Sequence, residues 1–377
     1  MGPVGALRVA VPEELAKLSP RSGHGRVWAT VVSELSRRAR VRLVPDAELR
    51  TPARRAVGRR TPKVIDDVWL LSGHAELPRA ATTSAAAIVV QVHEAPWDDE
   101  RRTPYLDPEF LEMTKALTAA SVAGASHVIT PSMSAAREVV GAYRVSPGLV
   151  TVAPHGVDAE VFSPELTGGR ELVAAAAQGR SRPYVLFVGT VHPRKNLAGL
   201  RDAMTQLAGR GLPHALAIVA GPAPDRGDSE TLLAAARAEL PGARGRVAWL
   251  DAADDVALAV LMAGADALCL PSFGEGFGLP ALEAMACGTP VVVSDRGSLP
   301  EVVGDAGVVC EPNPDALADA LEGVLSDPAH AAELGAYGRE LALQRPWSRT
   351  AGDWLLALRQ AVTEGWSAAP PPKPRWW

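Results

Sequence analysis

The chain has 377 residues, 47% of them apolar, and a net charge of −5, which allows two domains of ordinary size and argues against general nucleic-acid binding. No run of about twenty apolar residues marks a membrane span. The start, MGPVGALRVAVPEEL, lacks the charged beginning and long apolar core of a signal peptide, so a cytoplasmic protein is expected.

Residues 1–63 hold 14 Lys/Arg against 5 Asp/Glu, most of the excess in RRARVR (37–42) and ARRAVGRR (53–60). Such a stretch suits an anionic substrate or a peripheral contact with an anionic membrane, and equally a solvated face. Short β-branched runs at 7–11, 41–44, 68–71, 87–92, 127–129 and 150–153 alternate with helical patterns at 27–38, 108–125 and 132–142. After them come strand patterns at 184–188, 215–220, 247–250, 267–270, 291–294 and 308–310, with helices at 197–210, 229–239, 255–263, 280–286 and 314–325. This alternation predicts an α/β fold with parallel sheets covered by helices. SPELTGGRELVAAAAQGRSRP mixes Pro, Gly and polar residues without a strand pattern and predicts a linker around 163–181. The expected domains are therefore 1–163 and 164–346. AAPPPKPRWW cannot continue a helix, so 367–377 is expected as a tail. Cys269, Cys287 and Cys310 have no metal-ligand spacing and read as small buried side chains in a reducing compartment.

Several charged and glycine-rich groups fall at strand ends, where open α/β sheets bind ligands. RSGHGRVW (21–28) sets two glycines around His24 directly before a helix, and glycine permits close backbone approach. VQVHEAPW (90–97) puts His93 and Glu94 at the end of an apolar strand, and PHGVD (154–158) reads as a turn. In FVGTVHPRKNLAGL (187–200) a strand, a short turn and a helix from about Asn196 deliver Arg194 and Lys195 together. Two adjacent cations suit a diphosphate, Arg as a fork and Lys as a point charge, although a solvated pair capping a turn would look the same.

CLPSFGEGFGLPALEAMACGTP (269–290) is the most informative segment: a strand, a glycine-rich loop and a helix opening at Pro280. The amides of Gly276, Phe277, Gly278 and Leu279 precede a helix N-terminus, a place for an anion. Glu275 in the loop and Glu283 in the first helical turn suit ribose or hexose hydroxyls. A Ser-His-Asp order, a zinc cluster and a Walker loop are all missing from the sequence.

Together these segments resemble the retaining glycosyltransferases of family 4, particularly the mannosyltransferase-like members. GEGFGLPALEAMACGTPVVVSD (274–295) is similar to that family's E-x7-E segment, FVGTVHPRKNL to its Arg-Lys segment, and PHGVD to the end of its first domain. The resemblance implies a GT-B architecture, two Rossmann-like domains facing across a cleft. It also implies a closing helix, about 347–365, that returns to the first domain. It implies that Arg194 and Lys195 hold the diphosphate, that Glu283 binds the ribose and that Glu275 binds the donor sugar. Gly276 to Leu279 would touch phosphate and sugar, Gly25 would approach the diphosphate, and His93 would line the sugar pocket. His93 is followed by Glu94 where many relatives carry Asp, and His155 stands where Asn is common. The expected activity is transfer of a hexose from GDP-mannose or a UDP-sugar to a hydroxyl of a glycan, lipid-linked or natural-product acceptor. No metal and no cofactor are expected. The alternatives are a sugar-nucleotide 2-epimerase of the same architecture and a non-catalytic nucleotide-sugar-binding homologue.

Overall fold

Parallel strands need apolar residues on both faces, because helices cover both sides of the sheet. The strands here meet that condition: Val68–Ser72, Tyr184–Phe187 and Ala267–Leu270 are buried at every position. The computed structural model describes residues 7–18, 23–50, 66–82, 86–95, 108–177, 182–221, 234, 246–250 and 254–364. The basic run at 53–60, the helix expected over 229–239 apart from residue 234, and the tail at 367–377 lie outside these.

The chain divides into two compact units. The N-terminal unit takes Met1–Asp98, Leu111–His155 and the return stretch Trp347–Trp377; the C-terminal unit takes Asp99–Phe110 and Gly156–Pro346. In the N-terminal unit, β1 (Arg8–Pro12), β2 (Arg40–Val44), β3 (Val68–Ser72), β4 (Ala87–Gln91), β5 (His127–Thr130) and β6 (Val150–Val152) form one parallel sheet, ordered β2-β1-β3-β4-β5-β6. Val9 of β1 stands between Val41 and Val68, which fixes the register at the centre. The Trp347–Glu364 helix packs on the Gly23–Ser36 helix and on the sheet of this unit. There Trp354 meets Trp28 edge-on with ring centres 5.5 Å apart, and both are fully buried. Two such indoles supply much apolar area.

The C-terminal unit holds β7 (Tyr184–Thr190), β8 (Ala215–Gly221), β9 (Val247–Leu250), β10 (Ala267–Leu270), β11 (Val291–Ser294) and β12 (Val308–Cys310). Their order is β12-β11-β10-β7-β8-β9, again all parallel. The chain leaves β7 towards β8 and β9, then crosses back to β10, β11 and β12. The order therefore reverses between β7 and β10, a topological switch point where such sheets bind ligands. Phe187, Leu200, Leu207, Ile218, Cys269, Val292, Leu317 and Leu321 form the core beneath.

Short helices at Glu13–Ala16, Asp46–Leu49, Arg79–Thr82 and Leu299–Val303 add to the expected set, and three larger differences bear on the packing. The helix expected from residue 27 begins at Gly23, so His24 and Gly25 lie in its first turn and not in a loop before it. The expected linker carries a helix at Gly169–Ala176, which buries Gly169 and Val173. A Cβ at Gly169 would stand 2.6 Å from the Val260 carbonyl, so only glycine allows that approach. The Pro328–Leu343 helix was absent from the expected set because its buried face is Leu334, Gly335, Gly338 and Ala342, a weak apolar pattern. Asp327 caps it, accepting from the N–H groups of Ala329 and His330.

Candidate active site

Arg194 and Lys195 occupy a single 3-10 turn, Pro193–Lys195, immediately beyond β7. His192 opens it, its Nδ1 accepting from the Arg194 N–H at 3.1 Å. Asn196 closes it in a left-handed conformation, φ 55 and ψ 39. The helix expected over 197–210 accordingly begins at Leu197 and runs to Gly209.

The facing group comes from the loop after β10. The Lys195 ammonium lies 2.5 Å from Glu275 Oε1, and Ser272 Oγ donates to the same oxygen at 2.7 Å. The Arg194 guanidinium donates to the Gly274 carbonyl at 2.9 Å and stands 3.7 Å from Glu275 Oε2. Burial pushes the Glu275 carboxyl upward, but the Lys195 ammonium and Arg194 guanidinium outweigh it and hold the group below the usual carboxylate range. The site therefore contains two cations and one anion, largely shielded from water, at the reversal point of the sheet.

The loop's backbone is fixed from below. Ser298 Oγ donates towards the carbonyls of Glu275 (3.0 Å) and Phe277 (2.8 Å), and the Ser298 N–H reaches the Glu275 carbonyl at 3.2 Å. Gly276 and Phe277 are buried within the loop. Gly278 caps the next helix at φ 98, with a Cβ excluded by Leu299 Cδ2 at 2.6 Å. Leu279 is the first residue of the Leu279–Ala286 helix, and Pro280 sits in its first turn. Glu283 lies beyond that first turn, contrary to expectation, because the helix starts at Leu279; it is buried, with 2% exposure.

In the N-terminal unit the expected residues His93 and Gly25 fall among rings at the strand ends. His93 follows β4, and its ring stacks on His155 at 5.7 Å and 11°. His24 meets His93 edge-on at 6.3 Å, and Trp347 lies 6.0 Å from His155. Gly25 is buried in the first turn of the Gly23–Ser36 helix. His74, beyond β3, holds the backbone of this group: its Nε2 accepts from the His93 N–H at 3.2 Å. The proton must then sit on Nδ1, which donates to Thr118 Oγ1 at 3.0 Å, and Thr118 passes a bond to the Thr114 carbonyl at 2.8 Å. Burial, with mutual repulsion from His93, lowers His74 to about 4 and His24 to about 3, and pushes His155 well below the ordinary range. These imidazoles are neutral at physiological pH.

Among the described residues, no group of three or more His, Cys, Asp or Glu is placed to hold a metal ion. No described helix is long and apolar enough to cross a membrane. Part of the basic excess is matched internally, since Arg8 pairs with Asp67, and Arg42 with Asp66 and Glu48. Sequence reasoning did not single out Ser272, Asn196, Gly297, Ser298 or His74. Of these Asn196 and Ser298 carry a local signal, each as a capping residue directly before a helix.

Comparison with known proteins places both halves of the chain in one family. Residues 11–161 match the model of Glycosyltransferase Family 4, and residues 171–341 that of Glycosyl transferases group 1. A D-inositol 3-phosphate glycosyltransferase of Stackebrandtia nassauensis is 34% identical over 253 residues, 64% of this chain and 55% of that protein. An MMP alpha-(1->4)-mannosyltransferase of Mycolicibacterium hassiacum is 32% identical over 240 residues, 62% of this chain and 54% of that protein. The aligned stretch thus spans about half the length of these curated relatives. Among solved structures, sucrose-phosphate synthase from Thermosynechococcus elongatus superimposes with a TM-score of 0.71 at 20% identity, covering 95% of this chain and 100% of that one, a likeness of fold. With a family model matching each half and two parallel six-stranded sheets of GT-B type, the protein belongs to the family 4, group 1 glycosyltransferases.

Proposed function

We propose that the protein is a retaining glycosyltransferase that moves a hexose from a nucleoside-diphosphate sugar to an acceptor hydroxyl. The observation that carries this is the meeting of Arg194, Lys195 and Glu275 at the β7/β10 reversal, beside the glycine-rich start of the Leu279–Ala286 helix. Departure of a nucleoside diphosphate concentrates negative charge on the leaving oxygens. Two cations and a helix N-terminus stabilise that charge most as it develops.

In the proposed step the bond between the anomeric carbon and the diphosphate oxygen breaks, giving an oxocarbenium-like sugar. The acceptor oxygen bonds to the same face of that carbon, and its proton passes to the leaving phosphate. No side-chain general base is needed. Glu275 would bind the donor sugar's hydroxyls and Glu283 the ribose. Gly276 to Leu279 would touch phosphate and sugar. From the N-terminal unit, His93 is proposed to contact the transferred sugar and Gly25 to approach the diphosphate. Arg194 and Lys195 supply the charge a divalent metal would otherwise bring, so chelation by EDTA is expected to leave the rate unchanged.

Mannose as the transferred sugar is supported by the relative named a mannosyltransferase, and GDP-mannose is the first donor to try before UDP-sugars. The proposed acceptors are glycan, lipid-linked or small natural-product hydroxyls. A peripheral contact of the basic stretch 1–63 with an anionic membrane is proposed for a lipid-linked acceptor, and salt-sensitive sedimentation with anionic vesicles tests it.

The deciding experiment is a thermal-shift screen with GDP, UDP, ADP and dTDP. A ligand bound only by the native form raises stability by mass action, so one diphosphate should stand out. Release of that diphosphate from the matching sugar nucleotide, dependent on acceptor, then identifies transfer. Equal indifference to all four would remove the proposal.

A further inference from the structure

The two cations share one turn, and that turn is tied down by a residue outside the set assigned so far. We propose that Asn196 is a positioning residue, which sets the Arg194–Lys195 turn at its working distance from the Glu275 loop. The inference rests on the donor reading above and deepens it.

Asn196 follows Lys195 directly and is 8% exposed. Its φ of 55 and ψ of 39 are left-handed, a conformation Asn tolerates better than most residues with a side chain. Every side-chain polar group is engaged. Nδ2 donates to the carbonyl of Pro271 at 3.1 Å and to that of Pro312 at 2.8 Å. Oδ1 accepts from the Gly199 N–H at 3.2 Å and so caps the Leu197–Gly209 helix. Two carbonyls and one N–H fix the orientation of the amide without ambiguity.

The two carbonyls belong to residues just past β10 and β12, so one carboxamide joins the β7 turn to the ends of two other strands. Pro271 also opens the segment that carries Ser272 and Glu275. A second tie runs beside the first: the Phe273 N–H donates to the Arg194 carbonyl at 2.8 Å. Gly199 completes the fit, since a Cβ there would stand 2.5 Å from Asn196 Oδ1. Catalytic and binding groups work only when held within about half an ångström of their geometry. Without Asn196 the turn loses its ties to the strand ends of β10 and β12, and Lys195 loses its fixed place opposite Glu275.

Two variants test this against a control in the same unit. Asn196→Gly keeps the left-handed backbone and removes every side-chain bond. Asn196→Asp keeps the cap to Gly199 and sets a carboxylate against two carbonyl oxygens. The control, Tyr184→Phe, removes a buried 2.6 Å bond to the Leu261 carbonyl at the opposite end of β7 from the turn. Calorimetric titration with GDP and UDP, donor and acceptor KM values, and the thermal midpoint are measured for all three. Both Asn196 variants are expected to weaken nucleotide binding and raise the donor KM by roughly tenfold or more, the scale of one displaced charge-assisted contact. The acceptor KM should stay within about twofold, and Tyr184→Phe should keep wild-type nucleotide affinity whatever its midpoint. Should Asn196→Gly fail to fold, Asn196→Asp carries the test. Wild-type affinity in the Asn196 variants, or an equal loss in Tyr184→Phe, overturns the inference while leaving the donor reading in place. A wild-type protein that binds none of GDP, UDP, ADP and dTDP overturns the donor reading, and this inference with it.

Discussion

Lys195 and Glu275 form an ion pair at 2.5 Å across 80 residues of sequence, with Ser272 donating to the same carboxylate oxygen. The pair is only partly hydrated, with side-chain exposures of 15% and 9%. Its strength depends on that shielding, since water screens exposed pairs to almost nothing. Under the proposed function the same ammonium must serve a diphosphate. Glu275 then acts as an internal counter-anion, occupying Lys195 until a donor arrives and reclaiming it when product leaves.

Glu275→Gln separates these roles. The substitution keeps the shape and the bond from Ser272 but removes the charge competing for Lys195 and Arg194. Affinity for GDP or UDP is expected to rise by roughly tenfold, because a carboxylate about 4 Å from an incoming anion opposes it by about 1–4 kcal/mol between bulk-water and intermediate dielectric. Transfer should fall sharply in the same variant. Titration calorimetry reads the first effect and a coupled release assay the second; an unchanged or weaker diphosphate affinity would refute the counter-anion role.

Lys195→Ala removes the point charge closest to the carboxylate. Loss of one contact that strengthens in the transition state costs on the order of 100-fold in turnover. The variant also leaves Glu275 with Arg194 and Ser272 alone, so its carboxyl should move up towards the ordinary range. Steady-state kinetics over a pH series checks both, and near-normal turnover would remove Lys195 from its proposed role.

The histidines of the N-terminal unit set a different pH limit. His24 at about 3, His74 at about 4 and His155 well below 6.5 bind protons far less readily folded than unfolded. Their contribution is fully present above pH ~6.5 and is lost as pH falls, since the unfolded chain then takes protons the folded unit refuses. Glu275 has the same sign, but its loss begins only below the ordinary carboxylate value near 4.5. Stability should thus be level above pH 7 and decline from pH ~6.5. His155→Asn removes one proton from that balance, so the slope between pH 6.5 and 5 should flatten by up to ~1.4 kcal/mol per pH unit. Denaturant midpoints at four pH values decide it; parallel wild-type and variant curves would show that His155 does not contribute.

The strands were legible in the sequence because each is a short Val-, Ile- or Leu-rich run ended by glycine, proline or a polar residue. Arg194, Lys195 and Glu275 were legible as charges set at strand ends, where a plain structural role is least natural. Of Asn196 only the helix cap was legible, because its partners Pro271 and Pro312 lie 75 and 116 residues away, and no local pattern records them. Ser298, 23 residues beyond Glu275, has the same character. His24 and Gly25 failed in another way. Glycine suggests a loop by propensity, yet Gly25 is buried in a helical first turn, a case of tertiary packing overriding a weak local preference.

Gly297 supplies the sharpest geometric test of the loop. It has φ 60, and a Cβ there would lie 2.5 Å from the Glu275 carbonyl oxygen and 2.8 Å from its nitrogen. Both are backbone atoms, so they can yield only if the Glu275 loop itself shifts. Gly297→Ala should therefore lower stability by on the order of 1–2 kcal/mol through the left-handed backbone. Its larger effect should be on function, because the loop that carries the Gly276 to Leu279 amides moves off its place beside the helix start. Gly323→Ala is the matched control: it sits within the Pro314–Leu325 helix, and an added Cβ meets nothing within 4 Å. That variant should be as stable as wild type or slightly more so, by up to ~1 kcal/mol, as alanine replaces glycine inside a helix. Comparing the two for GDP and UDP affinity isolates the loop. A roughly tenfold loss in Gly297→Ala alone is expected, on the scale of one displaced charged contact; equal affinity in both would mean that the placement of the loop amides does not govern diphosphate binding.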